Sequence, residues 1–143
     1  MREGIGANKN IQFMKNLLII LLMAFSLSSC TKDFKISDCD FDCKYNKAFL
    51  DEKPYSGSLW NETKDVEIIC EGGIMLELRV YHSDGSLAIR ELKKQREFRW
   101  YNEAGTPIGR AEFTEKYPFE IKKMKETNNL IKEKDIRGLG SLF

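Results

Sequence analysis

The chain has 143 residues, room for one small domain, and 23 Lys and Arg stand against 22 Asp and Glu. So even a balance leaves no basic field to hold a nucleic-acid backbone, and no nucleic-acid partner is expected. At 42% apolar and 31% charged residues the composition is globular, while one histidine and four cysteines leave little material for a catalytic or metal centre.

The first element is an address. Asn16 precedes nine unbroken apolar residues, Leu17 to Phe25, with Lys15 in front and small residues behind. That order marks a secretory signal. The run falls short of the roughly 20 residues a membrane-crossing helix needs, and a core helix would carry a polar face. Residues 1–29 are therefore read as a signal peptide. Met14-Lys15-Asn16 is itself a good signal start, so translation is expected to begin at Met14 and not Met1. Leu27-Ser28-Ser29-Cys30 resembles the lipobox of bacterial lipoproteins, which implies that Cys30 is acylated and becomes the first mature residue. Three acyl chains of roughly 16 carbons, at about 0.8 kcal/mol per buried methylene, hold a protein on a bilayer almost permanently. Thr31, where inner-membrane lipoproteins carry Asp, implies the outer membrane. Cys30-Thr31-Lys32-Asp33 is also similar to the surface-export tag of Bacteroidota lipoproteins, so the periplasmic and surface faces both stay open. Beyond Ser29 the chain carries 20 basic and 21 acidic side chains, too even for steering by overall charge.

Residues 30–54 are charged, poor in aliphatics and without a sustained period, and are read as a tether. Asp38-Cys39-Asp40-Phe41-Asp42-Cys43 opens like a calcium loop, but Cys43 stands where Gly is needed and Phe49 where a bidentate Glu is needed. With Cys30 acylated, Cys39, Cys43 and Cys70 remain. In an exported chain this odd count implies one disulfide and one free thiol, either Cys39 with Cys43 or Cys70 with one of them. Their spacing does not match structural zinc sites, so no metal and no cofactor is expected.

Residues 55–116 carry a repeat. Glu77 to Arg90 set over Glu97 to Arg110 gives five identities in fourteen positions: Glu, Arg, Tyr, Gly and Arg. Within the unit, Leu76, Leu78 and Val80 alternate with Met75, Glu77, Arg79 and Tyr81, the period of a strand. Asp84-Gly85 then reads as a hairpin turn with both central residues at positive φ, and Leu87 to Leu92 as the return strand. Tyr55 to Trp60 and Val66 to Cys70 form an earlier, degraded hairpin, with Gly72-Gly73 as the next turn. About six short strands in an antiparallel meander follow, making the fold class mainly β.

Tyr-x-x-x-Gly-x-Leu at Tyr81 to Leu87, its second copy from Tyr101, and Pro54-Tyr55-Ser56-Gly57 resemble the variant MORN repeats of the bacterial YwqK-type antitoxin family. The resemblance covers roughly sixty residues and implies hairpin repeats; through the family's name it implies antitoxin activity. Pro107 replaces the leucine of the second copy, Gln95 stands where many copies carry Gly, and the unit around Trp60 lacks its turn glycine.

Alternation puts Leu78, Val80, Phe98 and Trp100 on the buried face. Glu77, Arg79, Tyr81, Glu97, Arg99 and Tyr101 fall on the other, with Arg90 beside Arg79 across the turn. This stripe is the candidate binding face, since Tyr and Arg are rich at binding hot spots, although a solvated face needs no partner to explain it. Residues 117–143 form a helical segment. Ile121, Met124 and Ile131 line a narrow apolar stripe that Pro118 opens and Gly138 ends. Its expected place is over one face or edge of the sheet.

No nucleophile, base and orienting group can be assembled, and His82-Ser83-Asp84 are sequence neighbours that point apart, so the chain is not read as an enzyme. The expected function is a lipid-anchored cell-envelope binding or scaffold module, held to the membrane through Cys30 and facing an unknown protein or envelope component. The alternative is a toxin-neutralising antitoxin or immunity lipoprotein, which predicts a toxin gene next door and toxicity on deleting this gene alone.

Overall fold

A computed structural model describes residues 14–16 and 33–138. The signal peptide and Cys30 lie outside the described residues, apart from Met14 to Asn16, which are helical. From Asp33 onward the chain is a compact unit by itself.

Ten strands form one sheet: β1 (Phe34–Lys35), β2 (Asp40–Asp42), β3 (Lys47–Leu50), β4 (Lys53–Pro54), β5 (Gly57–Trp60), β6 (Val66–Glu71), β7 (Ile74–Tyr81), β8 (Leu87–Leu92), β9 (Glu97–Tyr101) and β10 (Pro107–Ile108). Their order along the main path is β1-β5-β6-β7-β8-β9-β10, and β3 branches off β7 with β2 and β4 on its flanks. Every pairing between these strands is antiparallel except β1 with β5. The fold is therefore mainly β, a meander closed by C-terminal helices α1 (Arg110–Lys116) and α2 (Pro118–Glu133).

The six strands expected from the repeat are β5 to β10. The segment read as a tether is built into the sheet from Phe34 to Pro54. Cys39 and Phe41 are wholly buried while Asp38 and Asp40 beside them are exposed; Asp42, at the end of β2, is itself 5% exposed and is paired with Arg137 at 3.4 Å. A high charge content hid the period. Ile36, Phe41 and Ala48 from this segment join Leu59, Ile68, Leu78, Val80 and Ile89 in one core. Gly73 sews the two parts together. It sits at φ +82°, and a Cβ there would lie 2.7 Å from that of Pro54.

The second correction concerns phase. In β7 the buried residues are Met75, Leu78 and Val80, while Leu76 is exposed. Ile69 pairs with Glu77 but Cys70 with Met75, so Leu76 is the extra residue of a β-bulge, and alternation reverses across it. The turns differ too. Only Gly85, at φ +87°, is positive; Asp84 is not. The His82 amide donates to Ser86 O at 2.8 Å and the Gly85 amide to His82 O at 2.9 Å, a tight turn followed by a left-handed glycine. The second copy repeats this: Asn102 N to Thr106 O at 3.0 Å and Gly105 N to Asn102 O at 3.0 Å. After it, Pro107 lies at the outer edge of the sheet, in a strand of only two residues, where its missing donor is tolerated.

Both helices cover the core face. α1 falls within the stretch read as strands, and its Phe113 is fully buried against Trp100, His82 and Tyr117. α2 opens at Pro118 as expected and buries Met124, Thr127 and Ile131, with Ile121 half-buried beside them. Phe98 lies on the same side as Trp100 and stacks on it at 5.6 Å, yet it is exposed because it lies beyond the residues that pack on Phe113. After α2 the chain closes on β2, with the Phe41 amide donating to Lys134 O at 3.0 Å and the Ile136 amide to Phe41 O at 2.7 Å. Among the described residues, no helix is long and apolar enough to cross a membrane.

Candidate functional site

Each strand of a twisted antiparallel sheet turns alternate residues to one side, and register decides which of them line up across strands. Here register brings Trp60, Glu67, Arg79, Arg90 and Arg99 into one row over β5 to β9. A neighbouring row holds Ile69, Glu77, Leu92 and Glu97. Both rows lie on the face opposite the helices, which pack on Leu78, Val80 and Ile89.

The row contains a chemical conflict. Like charges directly opposite one another on a sheet repel, and Arg79, Arg90 and Arg99 are directly opposite in sequence of strands. Glu77 relieves it. One of its oxygens accepts from Arg79 Nε at 2.9 Å and the other from Arg90 Nη2. The Arg90 hydrogen bond chiefly, with Arg79 adding to it against the effect of burial, holds the Glu77 carboxyl below the usual range. Among the described residues, Arg99 has only an exposed contact with Glu97 at 3.2 Å, and the buried Arg90 Nε takes no hydrogen-bond partner. Glu67 is 8% exposed, and burial pushes its carboxyl up although Arg79 next to it works the other way. Trp60 stacks on Tyr81 at 5.9 Å and flanks the row at the β5 side.

The sequence-derived face is thus assembled: Arg79 and Arg90 are paired as expected, and Glu77, Tyr81, Glu97, Arg99 and Tyr101 lie on the same side. Sequence reading missed Trp60 and Glu67. Their signal was the alternation Val66-Glu67-Ile68, with Glu67 in phase with Arg79 once β6 pairs β7. Chemically the face offers guanidinium groups in a line, an aromatic pair and carboxylates that are largely committed internally. Such a surface recognises by shape and by paired hydrogen bonds to carboxylate or similar groups.

His82 is 3% exposed and lies elsewhere, between sheet and helix. Its Nε2 donates to Tyr101 O at 2.9 Å, its ring packs on Tyr117 at 4.6 Å, and Nδ1 lies 3.5 Å from Glu120 Oε1. Ser83 and Asp84 stay in the turn. Asp84 Oδ1 accepts from the Ser86 amide at 2.9 Å.

The three cysteines of the domain are free thiols in the structure. Cys39 and Cys70 belong to the core, where burial pushes the first up to about 11 and the second up to about 12. Cys43 is half-buried, its thiol 3.7 Å from Ile131 O. The disulfide expected among them is not formed here. Comparison with protein-family models, with curated proteins and with solved structures finds no match, so the chemistry of this chain is read from its own residues.

Proposed function

We propose that this chain is a lipid-anchored module of the cell envelope that holds a protein or envelope partner on the uncovered face of its sheet. The observation that carries the reading is the row of Arg79, Arg90 and Arg99 on three successive strands, which neither α1 nor α2 covers. Setting like charges opposite one another lowers stability. A face whose only task is to be wet gains nothing from that arrangement, whereas a face that meets an acidic group does. The anchor is supported by the Leu27-Ser28-Ser29-Cys30 motif behind its apolar run.

The test is crosslinking capture from intact cells. Arg79→Glu combined with Arg99→Glu is expected to lower recovery of crosslinked partners tenfold or more, with the circular dichroism spectrum unchanged. Capture equal to that of the unmodified protein removes the face from the reading. Acyl labelling of the same cells, with Cys30→Ala as control, tests the anchor separately: absence of label from the unmodified chain sinks that half.

A further inference from the structure

Three turns of the meander are built alike. Lys64, Gly85 and Gly105 donate their amides to Asn61 O, His82 O and Asn102 O at 3.2, 2.9 and 3.0 Å. The residue before each turn is aromatic: Trp60, Tyr81 and Tyr101. All three belong to the uncovered face, because Trp60 is in register with Glu67 and Arg79, and Tyr81 and Tyr101 stand two residues beyond Arg79 and Arg99. They close β5, β7 and β9, strands two apart, so the repeat sets one ring about every 9.5 Å across the sheet. Each is half-buried, which leaves part of the ring open.

Between the first two turns this row becomes a groove. Trp60 and Tyr81 stack with ring centres 5.9 Å apart and planes 25° apart. An open cavity of about 540 Å³ runs along the pair, bordered by Thr63, Lys64 and Asp65 of one turn and Ser83 of the next. That is the size of a small-ligand site. Charge around it balances. Asp65 Oδ2 lies 3.6 Å from Lys123 Nζ, and Asp65 Oδ1 accepts from Asn61 Nδ2 at 2.6 Å and Thr63 Oγ1 at 2.7 Å. Among the described residues, Lys64 has no carboxylate within 4 Å, and the exposed Asp84 beside Ser83 has no cation within that distance. One cation on one turn and one carboxylate on the next favour neither an anion nor a hydrocarbon. The exposed aliphatic side chains of Ile74, Leu76 and Ile136 lie elsewhere, so the groove lacks the apolar centre of a protein interface. Lys64 adds a separate observation. Its backbone is left-handed at φ +56°, where the other two turns have glycine. A side chain costs stability there, and strain of this kind gathers at functional sites.

We infer that this groove binds an uncharged saccharide, one pyranose ring lying on the Trp60–Tyr81 pair and the chain continuing along the row toward Tyr101. A pyranose is polar round its edge and carries C–H groups on its faces. The C–H groups meet the negative faces of the aromatic rings. The hydroxyls, each both donor and acceptor, pair with the ammonium, carboxylate and hydroxyl groups of the two turns. The site adjoins the arginine row but rests neither on that row nor on the acyl anchor.

The test uses the mature chain from residue 30 with Cys30→Ala, and a linear hexamer of N-acetylglucosamine as the probe. The chain has two tryptophans, so two indole N–H signals can be followed by NMR. The Trp60 signal, assigned with Trp60→Phe, should move as binding saturates, and the Trp100 signal should stay. Trp60→Ala should weaken binding about tenfold or more, and Trp60→Phe less, with the circular dichroism spectrum unchanged. Phe98→Ala removes an exposed ring on the other side of the sheet and should leave binding as it is. Lys64→Gly separates the site from mere packing, because it should gain stability while losing about threefold or more in affinity. No binding of the hexamer, movement of the Trp100 signal in place of Trp60, unchanged affinity in Trp60→Ala or in Lys64→Gly, or tighter binding of a galacturonate hexamer than of the neutral one would each overturn the inference. Hexamer binding together with crosslinking capture that Arg79→Glu and Arg99→Glu fail to lower would keep this inference and remove the arginine face.

Discussion

Arg79 and Arg90 stand directly opposite each other on neighbouring strands, and Glu77 gives one carboxylate oxygen to each. That carboxylate is what lets two guanidinium groups share a row. Replacing it by Gln removes the charge that offsets their repulsion and should cost about 2 kcal/mol, read as a shift of the urea midpoint. The pH dependence has a definite sign. Because its folded pKa lies below its unfolded value, the Glu77 contribution is complete above the ordinary carboxylate range and is lost as pH falls through the folded value. Glu77→Gln should therefore flatten the acid limb of the stability curve.

Glu67, one strand away, should behave oppositely. Burial raises its pKa, so folding favours the protonated form and the charge is a cost at neutral pH that disappears on acidification. Glu67→Gln is expected to leave stability at pH 7 equal or higher, and to remove a component that grows as pH falls toward 4. A marked loss of stability at pH 7 would show that Arg79 outweighs burial at this site.

Lys64 occupies in the first turn the place that Gly85 and Gly105 hold in the next two. Its amide donates to Asn61 O at 3.2 Å, and its backbone is left-handed at φ +56°. A side chain there costs roughly 1 kcal/mol relative to glycine. Lys64→Gly should raise stability by that amount, and Gly85→Ala should lower it by about 1–2 kcal/mol although nothing lies within 4 Å of the added carbon. Thermal unfolding of the two variants checks both signs.

Phe113 is where the helices meet the sheet. It is wholly buried, and its ring lies 5.1 Å from Trp100 and 5.0 Å from Tyr117. Phe113→Ala should cost about 3–5 kcal/mol and expose Trp100, shifting its emission to the red. An unshifted spectrum with full stability would mean that α1 does not hold this face closed.

Thiol labelling at neutral pH should modify Cys43 first. Cys39 and Cys70 combine burial with pKa values near 11 and 12, so both stay protonated until the domain opens. A domain whose unfolded chain, without reductant, takes up one label and not three at Cys39, Cys43 and Cys70 contains the disulfide that the folded structure here does not show.

The alternation of residues and the turn glycines, both local properties, determined the meander, its repeat and the composition of the arginine face. A strand's period needs no distant partner to be read. The capping helix from Pro118 was legible for the same reason. Three things were decided only by tertiary structure. Residues 34–54 joined the sheet, in four short strands, because Ile36, Cys39 and Phe41 found a core to enter, which a charged local sequence does not advertise. The bulge at Leu76 reversed the inward set, since one extra residue is visible only against its partner strand. And His82 left the surface because Phe113 and Tyr117 close over its ring, contacts between residues far apart in the chain that no local pattern announces.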